Sequence, residues 1–332
     1  MLRPDGTDAM GAVSRILVTG AGGFIGRATV AEARARGLGV VAVVRRAAPS
    51  DWAEDAGIEV VTADLSDPAS VNALAGGLRG CGAVIHAAAH LGGDPAAIEA
   101  DTLRGTRHLL DALPEGMRLV LVSSIAIYDP MRRAPGETLD ERARLSAEGQ
   151  AQDPYSGAKL AQEALCRASG HPLWLMRPGA VWGPGRTWHA LSGFWVGPCH
   201  VLLDSDGELP LVHVTSVARA LVSAALRDPE GTVALNVIDD DRPTRRRFAR
   251  AHRRAAGWPR LILPLPWTLW RGLARLSAPL GPRRPGLLRE PVLRARIMPL
   301  SWPNAALRQT LGGSDDAPFE EMLARSLAEE RR

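Results

Sequence analysis

The sequence predicts an α/β protein, a doubly wound parallel sheet with a smaller C-terminal lobe, and three observations predict it. Short β-branched runs alternate with alanine-rich segments of helical length through the first half of the chain. The runs are continuously apolar, so each strand needs cover on both faces, the condition of a parallel sheet between two helical layers. After Arg177 the alternation gives way to glycine- and proline-rich loops, the pattern of excursions that build a second lobe.

In chain order the expected strands are Arg15 to Thr19, Val40 to Val44, Ile58 to Ala63, Ala83 to Ala87, Arg118 to Ser123 and Pro172 to Arg177. The sheet is expected to be revisited at Leu211 to Val214 and Val233 to Val237. This divides the chain into a flexible tail (1–13), a nucleotide-binding domain (14–180, with its return at about 211–238) and a substrate lobe (181–210 and 239–332). With 332 residues, 46% of them hydrophobic, there is apolar content enough for both parts.

Composition narrows the function. A formal net charge of +4, carried by widely spread arginines, suits a phosphate-bearing cofactor as well as a polyanion. Arg245, Arg246, Arg247, Arg250, Arg253 and Arg254 cluster, but helical spacing scatters them around the axis and no aromatic platform accompanies them. They are expected on a solvated helix, and no nucleic-acid partner is expected. Cys81, Cys166 and Cys199 are too few and too far apart for a disulfide framework or a zinc site, so no metal is expected either. Asp5 and Asp8 stand where a signal peptide would be basic, which predicts a cytoplasmic protein. Pro264, Pro266, Arg271, Arg275 and Pro279 break the apolar stretch from Leu261 to Leu280, so no transmembrane segment is expected. That stretch reads as an amphipathic helix covering the substrate lobe, with peripheral contact on a membrane surface as the alternative. A homodimer is left open.

Thr19-Gly20-Ala21-Gly22-Gly23-Phe24-Ile25-Gly26 joins the first expected strand to the first expected helix. Gly20, Gly23 and Gly26 suit a tight turn, close backbone approach to a pyrophosphate and close packing of helix on strand, as in a Rossmann-type dinucleotide site. The residue that reads the adenosine ribose lies roughly 20 positions further on, at the end of the second strand. Arg45 stands there, followed by Arg46. Guanidinium groups suit a 2′-phosphate, so NADP is expected, with NAD the alternative. Asp64-Leu65, after the third strand, is placed to meet the adenine.

Tyr155-Ser156-Gly157-Ala158-Lys159 opens a helical segment, and a spacing of four sets both end residues on one face. A phenol titrates near pH 10, so it becomes a useful acid or base near neutrality only when a cation such as Lys159 stabilises the phenolate. Ser123-Ser124 closes the fifth strand, at the sheet edge where such folds bind ligands. Ser124 is there able to hold the oxygen that Tyr155 protonates or deprotonates.

With these motifs the chain resembles an extended short-chain dehydrogenase/reductase of the NAD-dependent epimerase/dehydratase superfamily. Further matching segments are His86-Ala87-Ala88-Ala89, Ser123 to Tyr128, Arg177-Pro178 through Gly185, and Val212-His213-Val214. The resemblance implies that Ser124, Tyr155 and Lys159 are catalytic and that Lys159 also bonds the nicotinamide ribose. It implies as well that Ala87, Ala88, Ala89, Arg177 and Pro178 belong to the cofactor site, and that His86 and His213 are structural. Departures are Thr102 where relatives commonly carry asparagine, Asp129 in place of a glycine, and Thr215-Ser216 in place of acidic residues. Ser123-Ser124-Ile125 argues against dehydration.

The segment from Trp258 to Pro264 and the closing Trp302 to Gly312 region resemble 3β-hydroxysteroid dehydrogenase and dihydroflavonol reductase-like members. The expected function is hydride transfer at the carbonyl or alcohol carbon of a small, largely apolar substrate. Trp182, Trp188 and Trp195 are expected to wall the cleft, Trp182 toward the nicotinamide. The alternatives are a nucleotide-sugar epimerase or 4-keto-sugar reductase, which share the same machinery, and a non-catalytic scaffold, against which the intact Tyr155/Lys159/Ser124 set speaks.

Overall fold

The computed structural model describes residues 13–330 apart from 148 and 285, so the expected tail lies outside the described residues up to position 12. The strands are β1 (Arg15–Thr19), β2 (Gly39–Val44), β3 (Ile58–Thr62), β4 (Ala83–His86), β5 (Arg118–Val122), β6 (Leu173–Pro178), β7 (Ala180–Trp182), β8 (Gly193–Val196), β9 (Cys199–Asp204), β10 (Leu211–His213), β11 (Thr232–Val237) and β12 (Leu261–Pro266). Among the described residues, seven of them form one parallel sheet in the order β11-β6-β5-β4-β1-β2-β3.

Alternation along each strand produces the two cores. Ile16, Val18, Val40, Ala42 and Val44 join one cluster, while Leu17, Val41 and Val43 join the other. The first face is covered by helices Phe24–Ala35 and Val214–Ala225, through Val30, Ala33, Val217 and Leu221. The second is covered by helices Gly105–Ala112 and Pro154–Ala168, through Leu109 and Cys166. Each strand residue therefore leaves water on one side of the sheet or the other, which is why these runs carry no polar alternation.

Leu211–His213 does not return to this sheet as expected. It pairs in parallel with β7 in a separate two-stranded ladder. The chain leaves the main sheet at Gly179, whose amide still bonds Val237, while the amide of Ala180 already bonds Pro210. A Cβ at Gly179 would lie 2.1 Å from the Pro210 carbonyl oxygen, so only glycine admits this crossing.

Beyond the sheet, β8, β9 and β12 make a three-stranded sheet in the order β12-β9-β8. Helices Arg245–Ala256, Trp267–Leu276, Glu290–Ile297 and Phe319–Glu329 surround it. Helix Ala305–Leu311 returns to the main sheet, where Leu307 and Leu311 join the first core. The arginine run is only partly a solvated face. Arg245 is buried and donates to the Leu191 carbonyl at 3.0 Å and the Ser205 hydroxyl at 2.8 Å. Arg246 pairs with Asp204, and Arg247 with Asp241 and Glu320. Asp204 and Glu320 come from distant parts of the sequence, which spacing along the helix cannot reveal. No helix among the described residues is long and apolar enough to cross a membrane.

Candidate active site

The strand order reverses between β1 and β4, and open α/β sheets bind ligands in the crevice above that point. A cavity of about 840 Å³ lies there, lined at one end by the glycine turn and at the other by the lobe. Gly20 has φ +63°, and a Cβ on it would meet the Ala88 amide at 2.8 Å. A Cβ on Gly26 would meet the Gly20 carbonyl oxygen at 2.1 Å. Gly23 caps helix Phe24–Ala35 with no side-chain hydrogen bond, so first-turn amides remain available to an anion. This cradle fits the pyrophosphate of a dinucleotide.

Phe24, Ile25, Ala87, Ala88, Ala89 and Pro178 all line the cavity, together with Arg45, Arg46, Asp64 and Leu65 at its ribose end. Arg45 donates from Nη1 to Asp101 at 2.7 Å. The Asp64 carboxylate accepts from the Ser66 hydroxyl and amide, which hold its pKa below the ordinary value.

Helix Pro154–Ala168 begins in a capping box. The Asp153 carboxylate accepts from the Ser156 amide at 2.8 Å, and the Ser156 hydroxyl oxygen accepts in return from the Asp153 amide at 3.2 Å. This fixes Tyr155 in the first turn and Lys159 one turn on. The Tyr155 phenol lies beside Ser124, which itself caps the turn after β5 by accepting from the Ala126 amide at 3.1 Å. Burial raises the phenol pKa, Ser124 lowers it and the nearby Asp153 raises it again, for a net rise. The buried, unpartnered Ser123 hydroxyl also lines the cavity.

Lys159 is buried, and its ammonium donates to the Val122 carbonyl at 2.7 Å and to Gln162 Oε1 at 2.9 Å. Burial pulls its pKa to about 8. Gln162 continues the network, donating to Thr106 at 2.9 Å, and His86 joins Thr106 to Thr19 at 2.9 and 2.7 Å. Burial pushes the His86 pKa to about 3, so this histidine is a neutral structural link between β1 and the helix that carries Lys159. His213 is likewise held by Thr215 and Ser326. Thr102 is buried in a π-helical turn, Ile98–Arg104, where its hydroxyl accepts from the His90 amide at 2.9 Å.

Four expected site residues lie elsewhere. Arg177 is buried away from the cavity, where it donates from Nε and Nη2 to Glu163, both at 2.9 Å, and to the Tyr128 hydroxyl at 3.0 Å. A carboxylate one turn beyond Lys159 captures it, and the buried pair turns the guanidinium away from the cavity. Trp182 is only 1% exposed, wedged between His213 and Phe319 with its indole donating to Asp239 at 3.3 Å. Trp188 packs among Phe248, His252 and Trp258, and Trp195 lies against it at a tilt of 43°. None of the three tryptophans lines the cavity. The apolar wall comes instead from Leu139, Leu191, Val292, Leu300 and Trp302, with Arg186, His189 and Arg296 among them. Helix Glu290–Ile297 had no signal of its own in the sequence. Gln162 did, since three residues beyond Lys159 is the same helical face.

Residues 16–237 match the NAD dependent epimerase/dehydratase family. The chain belongs to that family. It is similar to the ceramide reductase of Caulobacter vibrioides, 30% identical over 280 residues that cover 80% of this chain and 78% of the relative. It is also similar to a 3-diazoavenalumate denitrifying reductase of a Streptomyces species, 31% identical over 262 residues, 74% of this chain and 82% of the relative. Its fold is that of the Thermus thermophilus UDP-glucose 4-epimerase solved with NAD, at a TM-score of 0.69 and 24% identity, covering 96% of this chain and 99% of that one. The protein is thus an enzyme of the NAD-dependent epimerase and reductase group, within the extended short-chain dehydrogenases/reductases.

Proposed function

We propose that this enzyme reduces the carbonyl of a compact, largely apolar substrate, or oxidises the corresponding alcohol, at the cavity above β4 and β5. The observation that carries the proposal is that Ser124, Tyr155 and Lys159 line the same cavity, with the Tyr155 phenol beside Ser124. Ser124 orients the substrate oxygen. In reduction Tyr155 passes its proton to that oxygen, and the raised pKa keeps the phenol protonated until transfer. The bound nicotinamide supplies the hydride. Lys159 is assigned to the nicotinamide ribose, the side of the helix its ammonium occupies beside Val122.

Arg45 and Arg46 support NADP over NAD, because their guanidinium groups match a 2′-phosphate. Asp101 shares Arg45 and moderates the preference. The division of labour proposed is a nucleotide-binding part built on the main sheet and a lobe that supplies the wall. Leu139, Val292, Leu300 and Trp302 support an apolar substrate body, as does a relative named for a ceramide.

Arg186, His189 and Arg296 in the same wall favour a second candidate, a nucleotide sugar whose diphosphate needs convergent donors. A thermal-melt panel with NADP present separates the two, since a bound ligand raises stability with its saturation. Apolar ketones are expected to shift the melt while UDP and UDP-sugars leave it in place. Tight, saturable UDP-sugar binding with no response to ketones would reverse the assignment.

A further inference from the structure

Helix Trp267–Leu276 carries two apolar faces where one is enough to hold it. Trp270 and Ala274, four apart, pack inward against Leu203, Leu293 and Ile297. Leu269, Leu273 and Leu276, spaced by four and three, form a second stripe that points to water, with Leu276 81% exposed. Leu280 just beyond is 57% exposed, and Leu261 and Leu263 of β12 are open as well. Clustered exposed apolar residues of this size mark a contact surface.

The charge around the leucines says what kind. Between Asp241 and Glu290 every residue of fixed charge is an arginine. Arg242, Arg246 and Arg247, before the leucine helix begins, are held in ion pairs. Among the described residues, Arg271, Arg275 and Arg283 make none. A two-fold contact between copies would set this patch against itself and bring arginine to arginine. Addition of a strand at β12 is blocked where Pro264 and Pro266 supply no amide donors. A bilayer surface bearing anionic lipids satisfies both features, taking leucines into the acyl boundary and arginines at the headgroups.

We propose that the leucine stripe of helix Trp267–Leu276, with Leu280 and the bordering arginines, is a docking surface for an anionic membrane. Helix Glu290–Ile297 lies between this surface and the cavity, with Leu293 and Ile297 toward the leucine helix and Val292 and Arg296 toward the cavity. Docking leaves only two helices, Trp267–Leu276 and Glu290–Ile297, between the lipid and the cavity, which suits delivery of an apolar substrate if the proposed function is right.

The test is sedimentation of the full-length protein with phosphatidylcholine vesicles, with and without phosphatidylglycerol, at low and high salt. It requires no turnover, so it fails or succeeds independently of the assigned reaction. The protein should sediment with the phosphatidylglycerol vesicles, less so at high salt, and remain in solution with phosphatidylcholine alone. L276D/L280D alters only exposed side chains, should keep the thermal melt, and should weaken the partition roughly tenfold or more. R271Q/R275Q should reduce the preference for the anionic vesicles. Absence of sedimentation, or equal partition of L276D/L280D, would overturn the proposal. So would a dimer in light scattering that L276D/L280D dissociates while vesicles leave it untouched, which would make the patch an interface between copies.

Discussion

Trp188 and Trp302 both belong to the part of the chain that follows the first six strands, yet they do opposite work. Trp188 sits at the centre of an aromatic cluster with Phe248, His252 and Trp258, and its rings hold strands and helices together. Trp302 is equally enclosed by its own layer, with Tyr128, Leu139 and Leu300, but one side of that layer is the cavity wall. The difference is one of direction. Aromatic residues identify a lobe, and only the partners brought from distant segments decide whether a ring faces a ligand or another ring.

The contrast can be broken from either side. On the cavity side, Tyr155→Phe should lower turnover by roughly 10² to 10⁴ while leaving dinucleotide affinity nearly unchanged, as read by steady-state kinetics beside a fluorescence titration. Wild-type turnover in that variant would move the proton transfer elsewhere. On the cluster side, Phe248→Ala should destabilise the fold by about 3 to 5 kcal/mol in urea unfolding, with turnover per folded molecule preserved. Selective loss of turnover there would mean that the cluster reaches the reacting atoms.

Smaller effects sharpen the boundary. Arg45→Asp should weaken NADP binding roughly tenfold and shift preference toward NAD; equal affinity of the unmodified protein for both dinucleotides would remove the basis of the assignment. Lys159 is cationic below its pKa of about 8, so activity that needs its charge is full at lower pH and declines as pH rises through that value. A rate flat from pH 7 to 9 would show that its charge is not required. Trp302→Ala should raise KM for an apolar substrate roughly tenfold, whereas Trp195→Ala, at a ring already 45% exposed, should leave KM unchanged and cost about 1 kcal/mol or less of stability.

Legibility in the sequence followed the range of the interactions. The strands of the main sheet were visible because each is set by a local run of apolar residues, and the glycine turn because Gly26 answers to Gly20 and Ala21 a few residues away and Gly20 to its own left-handed backbone. Tyr155 and Lys159 were visible because one helix carries both. The fate of Arg177 was not, since it depends on Glu163, Tyr128 and Asn236 meeting from three elements. Leu211–His213 has the composition of a main-sheet strand, and only the crossing at Gly179 diverts it. The lobe was the least legible part because its wall is assembled from segments near 139, 191, 292 and 302 that share no local pattern.

The central claim is net hydride transfer to an external carbonyl, and isotope transfer from the cofactor tests it most directly. The enzyme would be incubated with NADPH deuterated at the nicotinamide C4 and, separately, with apolar ketones and UDP-sugars, and the products analysed by mass spectrometry. A reductase of apolar carbonyls predicts deuterium at the new alcohol carbon of a ketone, with NADPH consumed in equal amount and loss of both signals in Tyr155→Phe. Conversion of a UDP-sugar to its epimer with no net consumption of the dinucleotide, and no deuterium in any ketone, would contradict it.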